Sequence, residues 1–168
     1  MTRRTEAQSD SAADLITELI AQELTVATAE SLTGGGLAAR LVDVPGASVA
    51  YLGSVVAYQN RLKTALLGVP AELLERHGSV SAQTAAAMAQ GVQRSTGACS
   101  AIATTGAAGP QAHDGRPPGT VFIAVLLDGW ASVCEYRFSG DRSEVRAASV
   151  EAALALALDS IRSGRPGR

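Results

Sequence analysis

Aromatic residues, histidine, cysteine and lysine are all scarce in this chain of 168 residues. Aromatic residues make up 4% of the sequence, so the core is expected to consist of Ala, Val, Leu and Ile, whose small side chains let helices lie close to a sheet. With two histidines, and two cysteines that form no C-x-x-C pair, a zinc site of ordinary composition is not expected. Cys99 and Cys134 are instead expected to be buried thiols in a reducing compartment.

The sequence also lacks a strong net charge and a long apolar run. Its formal net charge of −2 does not provide the basic surface that binds nucleic acid. No apolar run has transmembrane length, and residues 1–14 lack the apolar core of a signal peptide. These absences predict a cytoplasmic protein with no nucleic-acid or membrane partner. One domain over residues 14–162 is expected, with flexible tails at 1–13 and 163–168.

Hydrophobic periodicity predicts a mixture of helices and strands. Helices are expected at 14–24, 37–44, 63–67, 70–77, 82–95 and 141–161, and strands at 25–29, 49–58, 100–104, 121–127 and 132–138. Asp128-Gly129 predicts a hairpin between the last two strands. This pattern favours the α/β class, with a mixed sheet covered by helices on both faces in a three-layer α/β/α sandwich.

Ser31 lies between a predicted strand and a run of three glycines, Gly34 to Gly36. A hydroxyl in this position stands at the end of a strand, where backbone N–H groups and a helix dipole can stabilise a developing anion. Each glycine costs a helix about 1 kcal/mol, so the run indicates that bare backbone is needed beside a ligand or a close-packed neighbour. A serine that only caps the next helix is the alternative interpretation.

Lys63 is the only lysine among fourteen basic residues. Arginine stays protonated, whereas a desolvated lysine can lose its proton and act as a base. Ser31 and Lys63 can therefore form a nucleophile–base pair, with Tyr58 placed to donate a proton or tune the lysine. A chance surface lysine is the alternative. A histidine-based triad is not expected, because His77 lies at a helix end and His113 in a polar loop.

Two further features suggest an anion site. The segment 104–110 follows a predicted strand and can present backbone N–H groups to a phosphate, although a simple tight turn is the alternative. Arg142 falls in the first turn of the last predicted helix, where the helix dipole does not favour a cation, so it is either held for an anionic ligand or solvated. Gly34 and Gly36 also resemble a dinucleotide fingerprint, but the next predicted strand ends without the carboxylate that such a site requires.

Taken in order, these segments resemble the CinA C-terminal domain family. The resemblance rests on AESLTGG at 29–35, PGAS at 45–48, VAYQNRLK at 56–63, GSVS at 78–81, TGAAGP at 105–110, PGTV at 118–121 and GDR at 140–142. It extends over about residues 14–161 and implies a three-layer α/β/α fold. A molybdopterin-binding-like domain often precedes this domain in the family, and none is visible here, so the chain resembles the stand-alone form.

The resemblance implies that the chain is a nicotinamide-nucleotide amidase. The reaction converts nicotinamide mononucleotide and water into nicotinate mononucleotide and ammonia, in pyridine nucleotide recycling, and requires no cofactor or metal. The resemblance assigns Ser31 as nucleophile with Tyr58 and Lys63 as partners, and favours a homo-oligomer. The nucleotide-binding residues that it implies are Glu30, Thr33, Gly34, Gly35, Asn60, Thr105, Gly106, Gly109 and Arg142.

In this reaction we expect backbone N–H groups near Gly34 and Gly35 to stabilise the oxyanion. The alternative function is a non-catalytic nucleotide- or partner-binding module linked to competence or DNA-damage responses. The sequence departs from the family at Leu32, where cysteine is usual, and at residues 111–114, where the family often continues with glycines. The second departure bears directly on the substrate contacts of this loop.

Overall fold

The computed structural model describes residues 10–164, which form five strands and six α-helices. The helices are α1 (Ser11–Ala21), α2 (Gly36–Val42), α3 (Asn60–Leu67), α4 (Ala71–His77), α5 (Ala82–Thr96) and α6 (Arg142–Ser163). The strands are β1 (Val26–Glu30), β2 (Tyr51–Val56), β3 (Ser100–Gly106), β4 (Thr120–Leu127) and β5 (Trp130–Arg137), and a single 3₁₀ turn spans Ala47–Val49.

The strands form one mixed sheet in the order β2-β1-β3-β4-β5. β1 pairs in parallel with both β2 and β3, whereas β3, β4 and β5 pair antiparallel. Every residue of β1 and β4 is buried, as expected for strands that helices cover on both faces. The predicted α/β class and mixed sheet are therefore confirmed.

Helices lie on both faces of the sheet. One core cluster combines the apolar faces of α1, α2 and α6 with one face of the sheet, and the other combines α3, α4 and α5 with the opposite face. Small residues allow close packing in this second layer, because a Cβ at Gly91 of α5 would lie 2.0 Å from the backbone oxygen of Leu67. The alanine-rich core that the scarcity of aromatic residues predicted is present, with Ala27, Ala29, Ala101 and Ala103 all fully buried.

The structure shifts several predicted boundaries. α1 begins at Ser11 rather than at residue 14, because the Asp10 carboxylate caps it by accepting a hydrogen bond from the N–H of Ala12 at 3.1 Å. α3 begins at Asn60, three residues before its predicted start. Most residues of the two predicted flexible tails, namely 1–9 and 165–168, lie outside the described residues.

Two predictions about the whole chain meet the structure only in part. The expectation that both thiols are buried is wrong for Cys99, which is exposed at the turn between α5 and β3, and Cys134 is only half-buried. None of the helices within residues 10–164 combines the length and apolarity needed to cross a membrane. The cytoplasmic location stays a prediction.

Candidate active site

A cavity of about 430 Å³ opens beside the carboxyl ends of β1 and β3. In open α/β sheets, ligands bind at the carboxyl ends of the strands, and this volume is within the range of small-molecule sites. The cavity is lined by Ser31, Leu32, Tyr58, Lys63, Ser79, residues 105–113 and Arg142.

Ser31 and Lys63 meet at the base of this cavity. The Nζ of Lys63 lies 3.0 Å from the Oγ of Ser31. Lys63 is 1% exposed and Ser31 is 7% exposed. The same Nζ donates to the backbone oxygens of Ala57 at 3.0 Å and Tyr58 at 3.1 Å. β1 places the serine, and the first turn of α3 places the lysine, so the predicted pair is assembled from two separate elements.

The electrostatics of Lys63 fit a base. Burial lowers the pKa of its amine from 10.5 to about 8, while the negative charge of Asp114 opposes this change. A neutral amine has two N–H donors and one lone pair. The carbonyls of Ala57 and Tyr58 can accept from both donors, which leaves the lone pair for the Ser31 hydroxyl proton.

Glu30 is a buried carboxylate that organises the turn after Ser31. Its Oε2 accepts from the Thr33 hydroxyl at 2.7 Å and from the N–H of Gly35 at 2.9 Å and Leu37 at 3.1 Å. Its Oε1 accepts from the N–H of Ala38 at 2.8 Å. The carboxylate thus satisfies the N–H groups at the start of α2, and no Glu30 atom is exposed to a ligand.

This arrangement corrects the predicted oxyanion site. The N–H of Gly35 is bound to Glu30, and that of Gly34 donates to the Ser31 oxygen at 3.2 Å, so neither is free for an oxyanion. The capping interpretation of Ser31 is also wrong, because the N-cap of α2 is Gly35, whose left-handed φ of 94° suits glycine.

Leu32 supplies a better candidate for an oxyanion donor. It lines the cavity, and no hydrogen bond found among residues 10–164 uses its N–H. Because a trans peptide is planar, this N–H points away from the Ser31 oxygen, which Gly34 holds on the other side. The N–H of the residue after a nucleophile is a recurrent oxyanion donor in α/β hydrolases.

We expect Glu30→Gln to destabilise the fold by about 1.5–3 kcal/mol, the usual loss when a hydrogen bond to a charged group is removed. The amide nitrogen of the glutamine cannot accept from backbone N–H groups that now donate to the carboxylate. Urea unfolding measures the change, with Glu151→Gln as the matched control, because Glu151 forms a largely exposed ion pair with Arg40. Equal stability of the two variants would contradict this role.

Arg142 and Tyr58 meet at the rim of the cavity. Arg142 donates from Nη1 to the Gly109 oxygen at 3.0 Å and from Nη2 to the Tyr58 hydroxyl at 2.6 Å. Tyr58 is 55% exposed, and it forms a hydrogen bond with Lys63 only through its backbone oxygen. Arg142 takes part in no ion pair found within residues 10–164, so its charge remains available to an anion.

The remaining predicted residues divide into two groups. The cavity lining includes Thr105, Gly106 and Gly109, and a Cβ at Gly106 would lie 2.7 Å from the Thr120 oxygen, so this position excludes larger residues. The structure places the others outside the lining, buried under the turn or exposed beyond it: Glu30, Thr33, Gly34, Gly35 and Asn60.

Sequence reasoning missed the link between Asp114 and Ser79. The Asp114 carboxylate accepts from the N–H of Ser79 at 2.5 Å and from its hydroxyl at 2.6 Å, and these bonds hold the pKa of Asp114 below its usual value. The segment at 111–114 therefore fastens the loop to the start of α5. The available signal was that GSVS at 78–81 is one of the segments that carry the family resemblance. Nothing in that segment identifies Asp114 as the partner of Ser79.

Neither histidine contacts the serine. His113 lines the cavity and lies 3.9 Å from the Asp114 carboxylate, while His77 ends α4. No group of three or more His, Cys, Asp or Glu side chains suited to a metal occurs in the part of the chain that the structure describes.

The three-layer fold and the cavity define an α/β protein with a buried serine–lysine pair at the carboxyl ends of its parallel strands. The chain belongs to the CinA C-terminal domain family, whose model matches residues 8–161.

A protein from Desulforamulus reducens is 50% identical over 139 residues, which are 83% of this chain and 34% of that protein. A CinA-like protein from Frankia casuarinae is 46% identical over 138 residues, covering 82% of this chain and 32% of the relative. The chain thus spans about a third of the length of these curated relatives. The crystal structure of a CinA superfamily protein from Klebsiella pneumoniae is 34% identical, with a TM-score of 0.89 and coverage of 93% and 99% of the two chains.

Proposed function

We propose that this chain hydrolyses the carboxamide of nicotinamide mononucleotide to nicotinate mononucleotide and ammonia. The observation that carries the proposal is the buried Lys63 amine, 3.0 Å from the Ser31 hydroxyl at the base of a cavity. This amine has its pKa lowered to about 8, because burial disfavours its charged form. It is well suited to take a proton from a serine nucleophile.

The positions of these groups support the following reaction. Ser31 Oγ attacks the carboxamide carbon while Lys63 Nζ takes the hydroxyl proton. The carbonyl oxygen becomes an oxyanion that the Leu32 N–H stabilises. Lys63 returns the proton to the amide nitrogen and the C–N bond breaks. Ammonia departs, and the acyl group remains as an ester on Ser31. Water, deprotonated by Lys63, then hydrolyses the ester and restores the serine.

The cavity rim supports a phosphorylated substrate. Arg142 carries an unpaired charge there, and the N–H groups of Ala108 and Gly109 take part in none of the hydrogen bonds found among residues 10–164. A guanidinium together with free backbone N–H groups is a common anion-binding combination. We propose that this end of the cavity holds the phosphate, which places the carboxamide toward Ser31.

We expect Arg142→Ala to raise KM for nicotinamide mononucleotide about 10–100-fold, the equivalent of one charge-assisted contact. KM for nicotinamide riboside, which has no phosphate, is expected to change little. Steady-state kinetics with both substrates measure the difference, and the riboside serves as the internal control. An equal change for the two substrates would contradict a phosphate role for Arg142.

Ammonia release from nicotinamide mononucleotide is the direct test of the proposed function. The purified chain is expected to release ammonia and nicotinate mononucleotide in equal amounts, and the matched Ser31→Ala protein is expected to release neither. Binding of the nucleotide without release would contradict the proposal and favour the non-catalytic binding module. We also propose a homo-oligomer, which light scattering of the purified chain tests.

A further inference from the structure

Arg146 holds the turn that carries the nucleophile. It lies one helical turn after Arg142 on α6, and its guanidinium reaches across to two consecutive carbonyls. Its Nε donates to the Leu32 oxygen at 3.0 Å, and its Nη2 donates to the Thr33 oxygen at 2.9 Å. These residues immediately follow Ser31, although 114 positions separate Arg146 from Leu32 in the sequence.

No carboxylate accounts for this position. Arg146 is partly buried, and it takes part in no ion pair found within residues 10–164. The first turns of a helix are an unfavourable place for a cation, because the helix dipole is positive there. The two carbonyls are therefore the polar partners that the structure provides for the guanidinium.

The contacts fix both peptide groups that flank Leu32. The N–H of Gly34 holds the Ser31 oxygen at 3.2 Å, which fixes the peptide before Leu32. Arg146 holds the Leu32 oxygen, which fixes the peptide after it. Since a peptide is planar, the Gly34 contact orients the Leu32 N–H directly, and the Arg146 contact restrains the chain on the other side of the Leu32 Cα.

We propose that Arg146 is a positioning residue that keeps Ser31 Oγ and the Leu32 N–H aligned for attack and oxyanion stabilisation. The inference rests on the proposed acyl-transfer function, but it concerns the geometry of the serine and does not depend on which amide is hydrolysed. The planar guanidinium of Arg146 directs two N–H donors at two adjacent carbonyls, and a single ammonium group cannot reproduce this geometry.

The test compares Arg146→Ala with Arg162→Ala. Arg162 lies at the other end of α6 and forms a partly exposed ion pair with Glu18, so its variant controls for loss of an arginine from this helix. A fluorophosphonate, which reacts with activated serines, gives the rate of Ser31 labelling, and ammonia release gives kcat and KM. Labelling can be measured even if nicotinamide mononucleotide is not the substrate, so failure of the proposed function leaves this test intact.

For Arg146→Ala we expect labelling and kcat to fall about 10–100-fold, the usual effect of a misplaced reacting group, with KM within a factor of about two. Millimolar methylguanidinium should restore part of both rates by occupying the space of the missing guanidinium. Arg162→Ala should match the unmodified protein in both rates. Arg146→Lys, which keeps the charge and is the safer variant for folding, should label at an intermediate rate.

Three results would overturn the proposal. The first is labelling and kcat of Arg146→Ala equal to those of the unmodified protein. The second is a loss of rate in Arg146→Ala that methylguanidinium does not reverse and that follows a fall in melting temperature, which indicates a structural role only. The third is full labelling by Arg146→Lys, which would show that charge without the planar guanidinium is sufficient.

Discussion

Lys63→Arg is expected to lower the turnover of nicotinamide mononucleotide by about 10²-fold or more, the scale of general-base catalysis. Arginine keeps the charge but cannot lose its proton near neutral pH. A lysine that only binds an anion would tolerate this change. Steady-state kinetics measure kcat, and ammonia release provides the assay.

The pH profile identifies the base more directly than the loss of rate. With a pKa of about 8, roughly a tenth of the Lys63 amines are neutral at pH 7, compared with fewer than about one in a thousand at the usual 10.5. The value of kcat/KM is therefore expected to rise with pH and level off above about pH 8. The arginine variant should lack this ascending limb. Near-normal turnover with an unchanged limb would refute the base role.

The guanidinium is larger than the amine, so a second variant separates catalysis from folding. Lys63→Met fills the site without a charge and should be inactive at every pH. The folded-state pKa of Lys63 is lower than its unfolded value, so the unfolded chain binds more protons between about pH 8 and 10.5. The stability of the unmodified protein relative to Lys63→Met should consequently rise with pH across that window. A flat difference in urea unfolding would show that Lys63 is not held with a lowered pKa.

Ser31→Ala is expected to lower turnover about 10³-fold or more, because among residues 10–164 no other hydroxyl forms a hydrogen bond with Lys63. The melting temperature should change little, since the serine does not cap α2. Intact mass after fluorophosphonate treatment should show one adduct on the unmodified protein and none on the variant.

Ser100→Ala is the matched control for this experiment. Ser100 is also buried, but it lies at the start of β3, at the opposite end of the sheet, where its hydroxyl donates to the Thr25 oxygen at 2.9 Å. Its variant should keep turnover and labelling. Substantial ammonia release by Ser31→Ala would contradict the nucleophile assignment.

The local features of the site were readable from the sequence because they belong to contiguous residues. The strand at 25–29 followed by Ser31 and glycines predicted a hydroxyl at a strand end, and β1 ends at Glu30. The single lysine predicted a special environment at position 63, and Lys63 is 1% exposed. Periodicity in each segment likewise predicted the α/β class and the mixed sheet.

Sequence patterns did not reveal what each polar group contacts. Glu30 was expected near the nucleotide but accepts hydrogen bonds from the N–H groups at the start of α2, and the hydroxyl of Tyr58 was expected near Lys63 but accepts a hydrogen bond from Arg142. The N–H groups of Gly34 and Gly35 were expected at the oxyanion but are used within the turn. In each case a partner within reach of the folded backbone satisfies the group, and that partner cannot be read from residue type.

The sequence by itself determined the order of helices and strands and the small-residue core, and it singled out Ser31 and Lys63 as the candidate nucleophile–base pair. Only the tertiary structure decided that these groups meet, because the decisive contacts join residues 32 positions apart for Lys63 and Ser31, 84 for Arg142 and Tyr58, and 114 for Arg146 and Leu32. Helical and strand periodicity depends on neighbours within a few residues. Contacts over these separations depend on how α3 and α6 pack against the sheet, and this packing places Lys63 and Arg146 on either side of the turn that begins at Ser31.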